Sequence, residues 1–400
     1  MQTRLAPRIK QSRHAEAIET ILRKCVHCGF CNATCPTYQL LGDELDGPRG
    51  RIYQMKQYFE GEPANAEMLG HLDRCLTCRA CETTCPSGVH YSQLLEIGKE
   101  LIEVELPRAR LDRLRRAAIV RFINSGWLFT ACIRLGQAFA WMLPAALRHS
   151  VPARQPALAR SNGSHARKVL MLAGCVQPTL APNTNISAVN LLNQLGIEVI
   201  EPTGKLCCGA AAMHTSEPDY ALRQVKHTID SWWPYIEDGV EAIVVTATGC
   251  GVSVRDYGNL LADDPEYAQK GKTVSSLYRD LVEVVEAHSD QIEVSDAADK
   301  RVAVHTPCTM QHGLGLGNRV ERLLAGAGYR ICRVEEAHLC CGSAGTYSML
   351  QPALAMQLQH NKIRALSVDQ PDIVATANIG CQLHLAQGNS TAVVHWIELL

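Results

Sequence analysis

The sequence predicts a multidomain α+β protein in which a mainly helical N-terminal domain precedes two pseudo-symmetric α/β halves with parallel strands. Three observations predict it. One cysteine spacing occurs twice in the first ninety residues, a second cysteine pattern recurs in the last 230, and in that last region short apolar runs alternate with helical stretches. The expected divisions are 1–105, a connector over 106–166, a first half over 167–290 and a second over 291–400.

The first spacing is Cys25-x2-Cys28-x2-Cys31-x3-Cys35-Pro36, repeated as Cys75-x2-Cys78-x2-Cys81-x3-Cys85-Pro86. Bacterial ferredoxins hold two [4Fe–4S] clusters with this run, three thiolates coming from one tight loop and the fourth from the other run. The spacing therefore assigns Cys25, Cys28, Cys31 and Cys85 to one cluster and Cys75, Cys78, Cys81 and Cys35 to the other, in a ferredoxin-like domain. Zinc knuckles pair two CxxC units across a longer gap, and a disulfide framework does not demand this triplet. Around the loops, helices are expected over Arg51–Phe59 and Ser92–Glu105. Pro48 and Gly50 read as a turn into the first, with Arg49 and Arg51 either solvated or approaching a cluster or a partner.

At 400 residues, 46% hydrophobic and 20% charged, the chain has apolar material for two or three packed domains. A net charge of −1 gives no general drive toward nucleic acid, so no nucleic-acid partner is expected. Eighteen cysteines in so long a chain, behind a polar N-terminus, suit the reducing cytoplasm, where thiols serve as metal ligands.

Between Leu106 and Lys168 twelve basic residues face one acid, Asp112. The apolar, Trp-bearing middle of this stretch is interrupted by Arg121 and Arg134 before it reaches the roughly 18–20 residues of a spanning helix. It reads either as an amphipathic element on an anionic membrane surface, placing the protein peripherally on the cytoplasmic face of the inner membrane, or as a dock for a partner subunit. Its tail, VPARQPALARSNGSHAR, reads as a flexible linker.

In the last region Cys175, Cys207-Cys208-Gly209 and Gly249-Cys250 recur as Cys308, Cys340-Cys341-Gly342 and Gly380-Cys381, with 32 residues from the first cysteine to the pair in both copies. Apolar runs at KVLML, IEVIEP and AIVVTAT, then RVAVH, YRICRV and DIVATANI, read as buried strands separated by helices, hence parallel βαβ units. Parallel sheets gather ligand sites at the carboxyl ends of strands. Cys175, Cys207, Cys208 and Cys250, and likewise Cys308, Cys340, Cys341 and Cys381, are therefore candidate ligands of a metal or an additional iron–sulfur centre. Cys132 and Cys332 fall outside both patterns and read as small buried hydrophobes.

QKGKT at 269–273 lacks the glycine of a phosphate loop, and GLGLGNRV at 313–320 does not follow a strand as a dinucleotide fingerprint would. His27, His71, His90, His305, His312 and His384 lie near cysteines, either to tune or ligate a centre or, as is commoner, as exposed or hydrogen-bonded bystanders. No catalytic acid–base residue is assigned. Without a flavin or nicotinamide signature, the chain can pass electrons but needs a partner to take a hydride from substrate.

The segments LRKCVHCGFCNATCPTYQLLGDELDGPRGRIY, LDRCLTCRACETTCPSGV, HLCCGSAGTY and TANIGCQLHLA make the chain resemble, over essentially its whole length, the glycolate oxidase iron–sulfur subunits within the broader family of CCG-domain iron–sulfur oxidoreductase subunits. The resemblance implies a complex with two FAD-bearing flavoprotein subunits, in which glycolate is oxidised to glyoxylate and electrons pass through this chain to a membrane acceptor such as quinone. Relatives with the same parts serve D-lactate and glycerol-3-phosphate dehydrogenases and heterodisulfide reductase, the last by thiol-disulfide chemistry. In the heterodisulfide reductase relatives each half ends in CxxC. Here Ser253 and His384 stand at the second cysteine, which removes one thiolate per half.

Overall fold

The computed structural model describes residues 1–142, 144, 151–292 and 299–400. Arg148 and the end of the apolar connector stretch lie outside them. Helices Ala15–Lys24, Pro48–Glu60, Ala66–Asp73 and Tyr91–Glu105 build the N-terminal domain. Ile18, Leu22, Met55, Phe59, Leu94 and Ile102 bury against one another at its centre, each contributing roughly 1.5–3 kcal/mol. Pro48 takes the first helical position after extended Gly47, where its missing N–H costs nothing. Gly50 is required by packing, because a Cβ there would sit 2.0 Å from the Glu44 carbonyl oxygen.

The two cysteine runs form matching loops. In each, the second residue after the first cysteine and the first residue after the second cysteine are left-handed: His27 and Gly29 at φ 60° and 86°, Thr77 and Arg79 at 52° and 61°. A β-branched residue at positive φ is an outlier that costs on the order of 1 kcal/mol or more. Thr77 is such a residue, and its strain lies where the chain turns its sulfurs inward.

Each later half is a four-stranded parallel sheet, β2-β1-β3-β4 and β6-β5-β7-β8. The strands are β1 Arg167–Leu172, β2 Ile197–Ile200, β3 Ala242–Val245, β4 Tyr278–Asp280, β5 Arg301–His305, β6 Arg330–Ile331, β7 Ile373–Thr376 and β8 Ala392–His395. The six expected runs supply the first three strands of each sheet. The expected YRICRV strand shortens to two residues, and the edge strands β4 and β8 were not foreseen. The halves share one apolar core, with Val169, Val244, Val302, Leu324 and Trp396 in a single cluster. Their switch loops interlock: Thr248 N–H donates to the Ala377 carbonyl (3.2 Å) and Gly249 N–H to Asn378 Oδ1 (3.2 Å).

One expectation for the connector needs correction. Its tail is not a flexible linker but a strap pinned along helix Pro182–Gln194: Asn183 and Asn190 donate to the Pro156 and Ala159 carbonyls at 2.8 and 2.9 Å, and Ser161 N–H donates to Asn190 Oδ1 at 2.7 Å. These side chains satisfy a backbone that otherwise has no partner strand. Nor is the basic excess wholly free. Arg108 and Arg116 are buried against Asp73, at 2.6 and 3.1 Å, with Lys99 at 2.9 Å on the same carboxylate. Helices Arg110–Ile123 and Trp127–Ala138 meet at 85°, and among the described residues no single helix is long and apolar enough to cross a membrane.

Candidate metal centres

The two loops enclose adjoining cavities. One is lined by Cys25, Cys28, Cys31 and Cys85; the other by Cys35, Cys75 and Cys78. Cys81, Pro48 and Tyr91 form the wall between them. The structure thus brings the fourth cysteine of each run to the three of the other. Burial pushes the Cys31 thiol up to about 11 and raises Cys25, Cys78 and Cys81. Thiols in so dry a setting stay protonated until a bound cation replaces the proton, which is then released to water; this is the chemistry of a metal-thiolate site.

Polar groups are aimed at this sulfur-rich region. Thr77 N–H donates to Cys75 Sγ at 3.4 Å and the buried Tyr91 hydroxyl to the same sulfur at 3.6 Å. Arg51, 1% exposed, also lines the second cavity and donates to the His71 carbonyl (2.8 Å) and Thr37 Oγ1 (3.2 Å). It is not solvated. Arg49 lines the first cavity and donates to Glu44 at 2.5 Å.

The second site family follows the sheet edges. In the first half Cys207 is held well below the usual thiol range by hydrogen bonds from the Cys175 and Cys208 thiols, and Cys208 in turn bonds Cys250. In the second half Cys308 Sγ donates to Cys340 Sγ at 3.8 Å, Cys340 bonds Cys341, and Cys341 bonds Cys381. Each quartet is therefore a continuous row. Gly209 and Gly342 make the rows possible: both are left-handed, at φ 80° and 90°, and a Cβ on Gly342 would lie 2.7 Å from the Ala355 carbonyl. Their N–H groups donate to Cys207 and Cys340 Sγ, each at 3.5 Å.

The second row touches the ferredoxin-like domain. Cys78, Cys308 and Cys340 pack in one cluster with Leu76, Tyr347 and Leu354. Thr83 and His312 bridge the same interface at 2.8 Å, and Arg79 pairs with Asp256 at 2.9 Å.

The other histidines are placed as follows. His27 lies 3.1 Å from Met1 Sδ, His71 pairs with Asp46 at 3.0 Å, and His90 is exposed. His384 is buried, with Nε2 3.2 Å from the Ala355 carbonyl, and Ser253 Oγ donates to the Gly249 carbonyl at 3.4 Å. Both positions that replace a cysteine are thus committed to backbone. His305 is instead grouped with Cys341 and Cys381, and burial pushes its imidazole down to about 3. Buried Lys362 donates to the Glu336 carbonyl at 2.8 Å beside the same thiols. Sequence reasoning missed Tyr91 and Lys362 and left His305 as a bystander; the available signal was a histidine ending the apolar strand RVAVH. Cys332 is buried as expected, whereas Cys132 is exposed, because helix Trp127–Ala138 turns that face outward.

Fold and thiol sites together define a two-cluster iron–sulfur protein joined to a duplicated cysteine-rich domain. The family models agree: a 4Fe-4S dicluster domain matches residues 21–89, and a cysteine-rich domain matches 169–255 and 302–386. The glycolate oxidase iron-sulfur subunit of Escherichia coli is 47% identical over 401 residues, covering 100% of this chain and 98% of its own length. A probable glycolate oxidase iron-sulfur subunit of Bacillus subtilis is 28% identical over 95% of this chain and 93% of its own. Lactate utilization protein A of Exiguobacterium is 26% identical over 58% of this chain and 96% of its own. The chain belongs to the glycolate oxidase iron–sulfur subunit family. It carries iron–sulfur clusters and serves electron transfer within an oxidoreductase.

Proposed function

We propose that this chain relays electrons from an FAD-bearing partner that oxidises glycolate to glyoxylate toward a membrane acceptor such as quinone. The observation that carries the reading is the unbroken succession of thiol sites. Cys28, exposed beside Val26 and Phe30, opens the first cavity to the surface; Cys81 and Tyr91 join it to the second; Cys78 packs in one cluster with Cys308 of the second half. Cys25, Cys28, Cys31 and Cys85 hold one [4Fe–4S] cluster, and Cys35, Cys75, Cys78 and Cys81 the other. Bound clusters supply one-electron steps between a two-electron flavin and the acceptor. The protein's part is to keep them close, dry and oriented, through the Tyr91 hydroxyl, the Thr77 N–H and the buried Arg51 cation.

The bent helix pair supports peripheral attachment to the cytoplasmic face of the inner membrane. It exposes Leu111, Leu114, Phe122, Trp127, Leu128 and Leu135 beside exposed Arg110, Arg113, Arg121 and Arg134, an arrangement suited to an anionic lipid surface. Flotation with anionic vesicles tests this, and Trp127→Ser with Leu128→Ser should reduce recovery. The function is tested by anaerobic purification with whatever co-purifies, followed by dye reduction with glycolate, D-lactate, L-lactate and glycerol-3-phosphate. A flavoprotein and a glycolate-dependent rate support the proposal, whereas a rate with another substrate alone overturns the glycolate assignment.

A further inference from the structure

The thiol row of the second half includes a nitrogen that the first half cannot match. His305 ends β5 three residues before Cys308, and at the same interval before Cys175 the first half has Leu172. The imidazole is 2% exposed. Its Nδ1 is 3.0 Å from Thr376 Oγ1 on the neighbouring strand, and its Nε2 is buried with no hydrogen-bond partner. An orphaned buried ring nitrogen is destabilising unless something occupies it. Sulfur is close by: a ring nitrogen of His305 and the sulfurs of Cys341 and Cys381 all lie within 4.8 Å of one another.

With Nδ1–H donated to Thr376, the Nε2 lone pair is left free for a metal, which is how a metal-binding histidine is held by an outer hydrogen bond. We propose that His305 is a ligand, through Nε2, of an iron–sulfur centre in the second half that also uses Cys341 and Cys381. Iron–sulfur chemistry is favoured over a lone zinc by the donor count: with Cys308 and Cys340 continuing the row, the half offers five donors, more than the four of a tetrahedral zinc. Packing of Cys308 and Cys340 in one cluster with Cys78 further favours a redox-active occupant. Among iron–sulfur centres, imidazole in place of thiolate raises the reduction potential.

The inference rests on the iron–sulfur reading of the chain, and its test separates the two. The full chain, labelled with ¹⁵N-histidine, is reconstituted with ferrous iron and sulfide, reduced, and read by metal analysis and pulsed EPR. The signals of the two N-terminal clusters report folding and loading in every sample, and their absence from wild type overturns both the reading and the inference. With them present, we expect a strong histidine-nitrogen coupling that persists in His27→Ala and vanishes in His305→Ala. In His305→Cys we expect the centre retained, the coupling lost and its potential lowered. Loaded N-terminal clusters with no strong coupling in wild type, a coupling that survives His305→Ala, or zinc in place of iron in the second half would overturn the inference alone.

Discussion

Replacing Tyr91 with Phe isolates one interaction at the second cluster site. The ring is 4% exposed and forms part of the wall between the cavities, so Phe preserves packing and removes only the hydroxyl that donates to Cys75 Sγ at 3.6 Å. A hydrogen bond to a charged acceptor is worth about 1.5–3 kcal/mol. It favours the more negative, reduced state, and a long O–H···S contact places the difference between states near 1 kcal/mol. A tenfold change corresponds to about 1.4 kcal/mol and to about 59 mV for one electron, so the potential should fall by about 40 mV. The assay is an EPR-monitored redox titration, with signals assigned through Cys28→Ser and Cys78→Ser. The cluster at Cys75 should shift and the one at Cys25 should not. Unchanged potentials, or a shift confined to the Cys25 site, would show that the Tyr91 hydroxyl does not tune the second cluster.

Three further outcomes follow from the same geometry. Cys28→Ser and Cys78→Ser should each abolish substrate-to-dye turnover in the purified complex, and full activity in both would remove the relay. Gly342→Ala should destabilise the chain by about 3 kcal/mol in denaturant unfolding, since it adds left-handed strain and a backbone clash. Asp73→Asn should cost about 3 kcal/mol at neutral pH, because it leaves Lys99, Arg108 and Arg116 facing one another. Although burial raises the Asp73 carboxyl, those three cations outweigh it and hold it below the usual range. Its stabilisation is therefore present above the unfolded carboxylate value of about 3.9 and lost as pH falls below it. The wild type should lose more stability than the variant on acid titration between about pH 4 and 2.

The sequence made the chemistry more legible than the packing. Eight cysteines in two copies of one spacing, and eight more in two copies of another, announced sites because their residue type and interval leave few alternatives. Apolar runs such as KVLML and RVAVH announced buried strands. Tyr278–Asp280 and Ala392–His395 did not: these short edge strands are set by pairing with Ile243–Val245 and Ile373–Thr376, a tertiary effect that leaves little local pattern. VPARQPALAR looked like a linker because its partners, Asn183 and Asn190, lie on a helix some thirty residues onward. Tyr91, Arg51 and His305 gained their positions from packing across loops and strands, which spacing alone does not encode.

If the chain is the relay proposed above, electrons from glycolate pass through its clusters. Rapid freeze-quench EPR of the purified complex mixed with glycolate tests it most directly. Reduced-cluster signals should appear within a single turnover, after or together with flavin reduction, and disappear when an acceptor is added. Flavin reduction and steady dye turnover with both N-terminal clusters remaining oxidised would contradict the account.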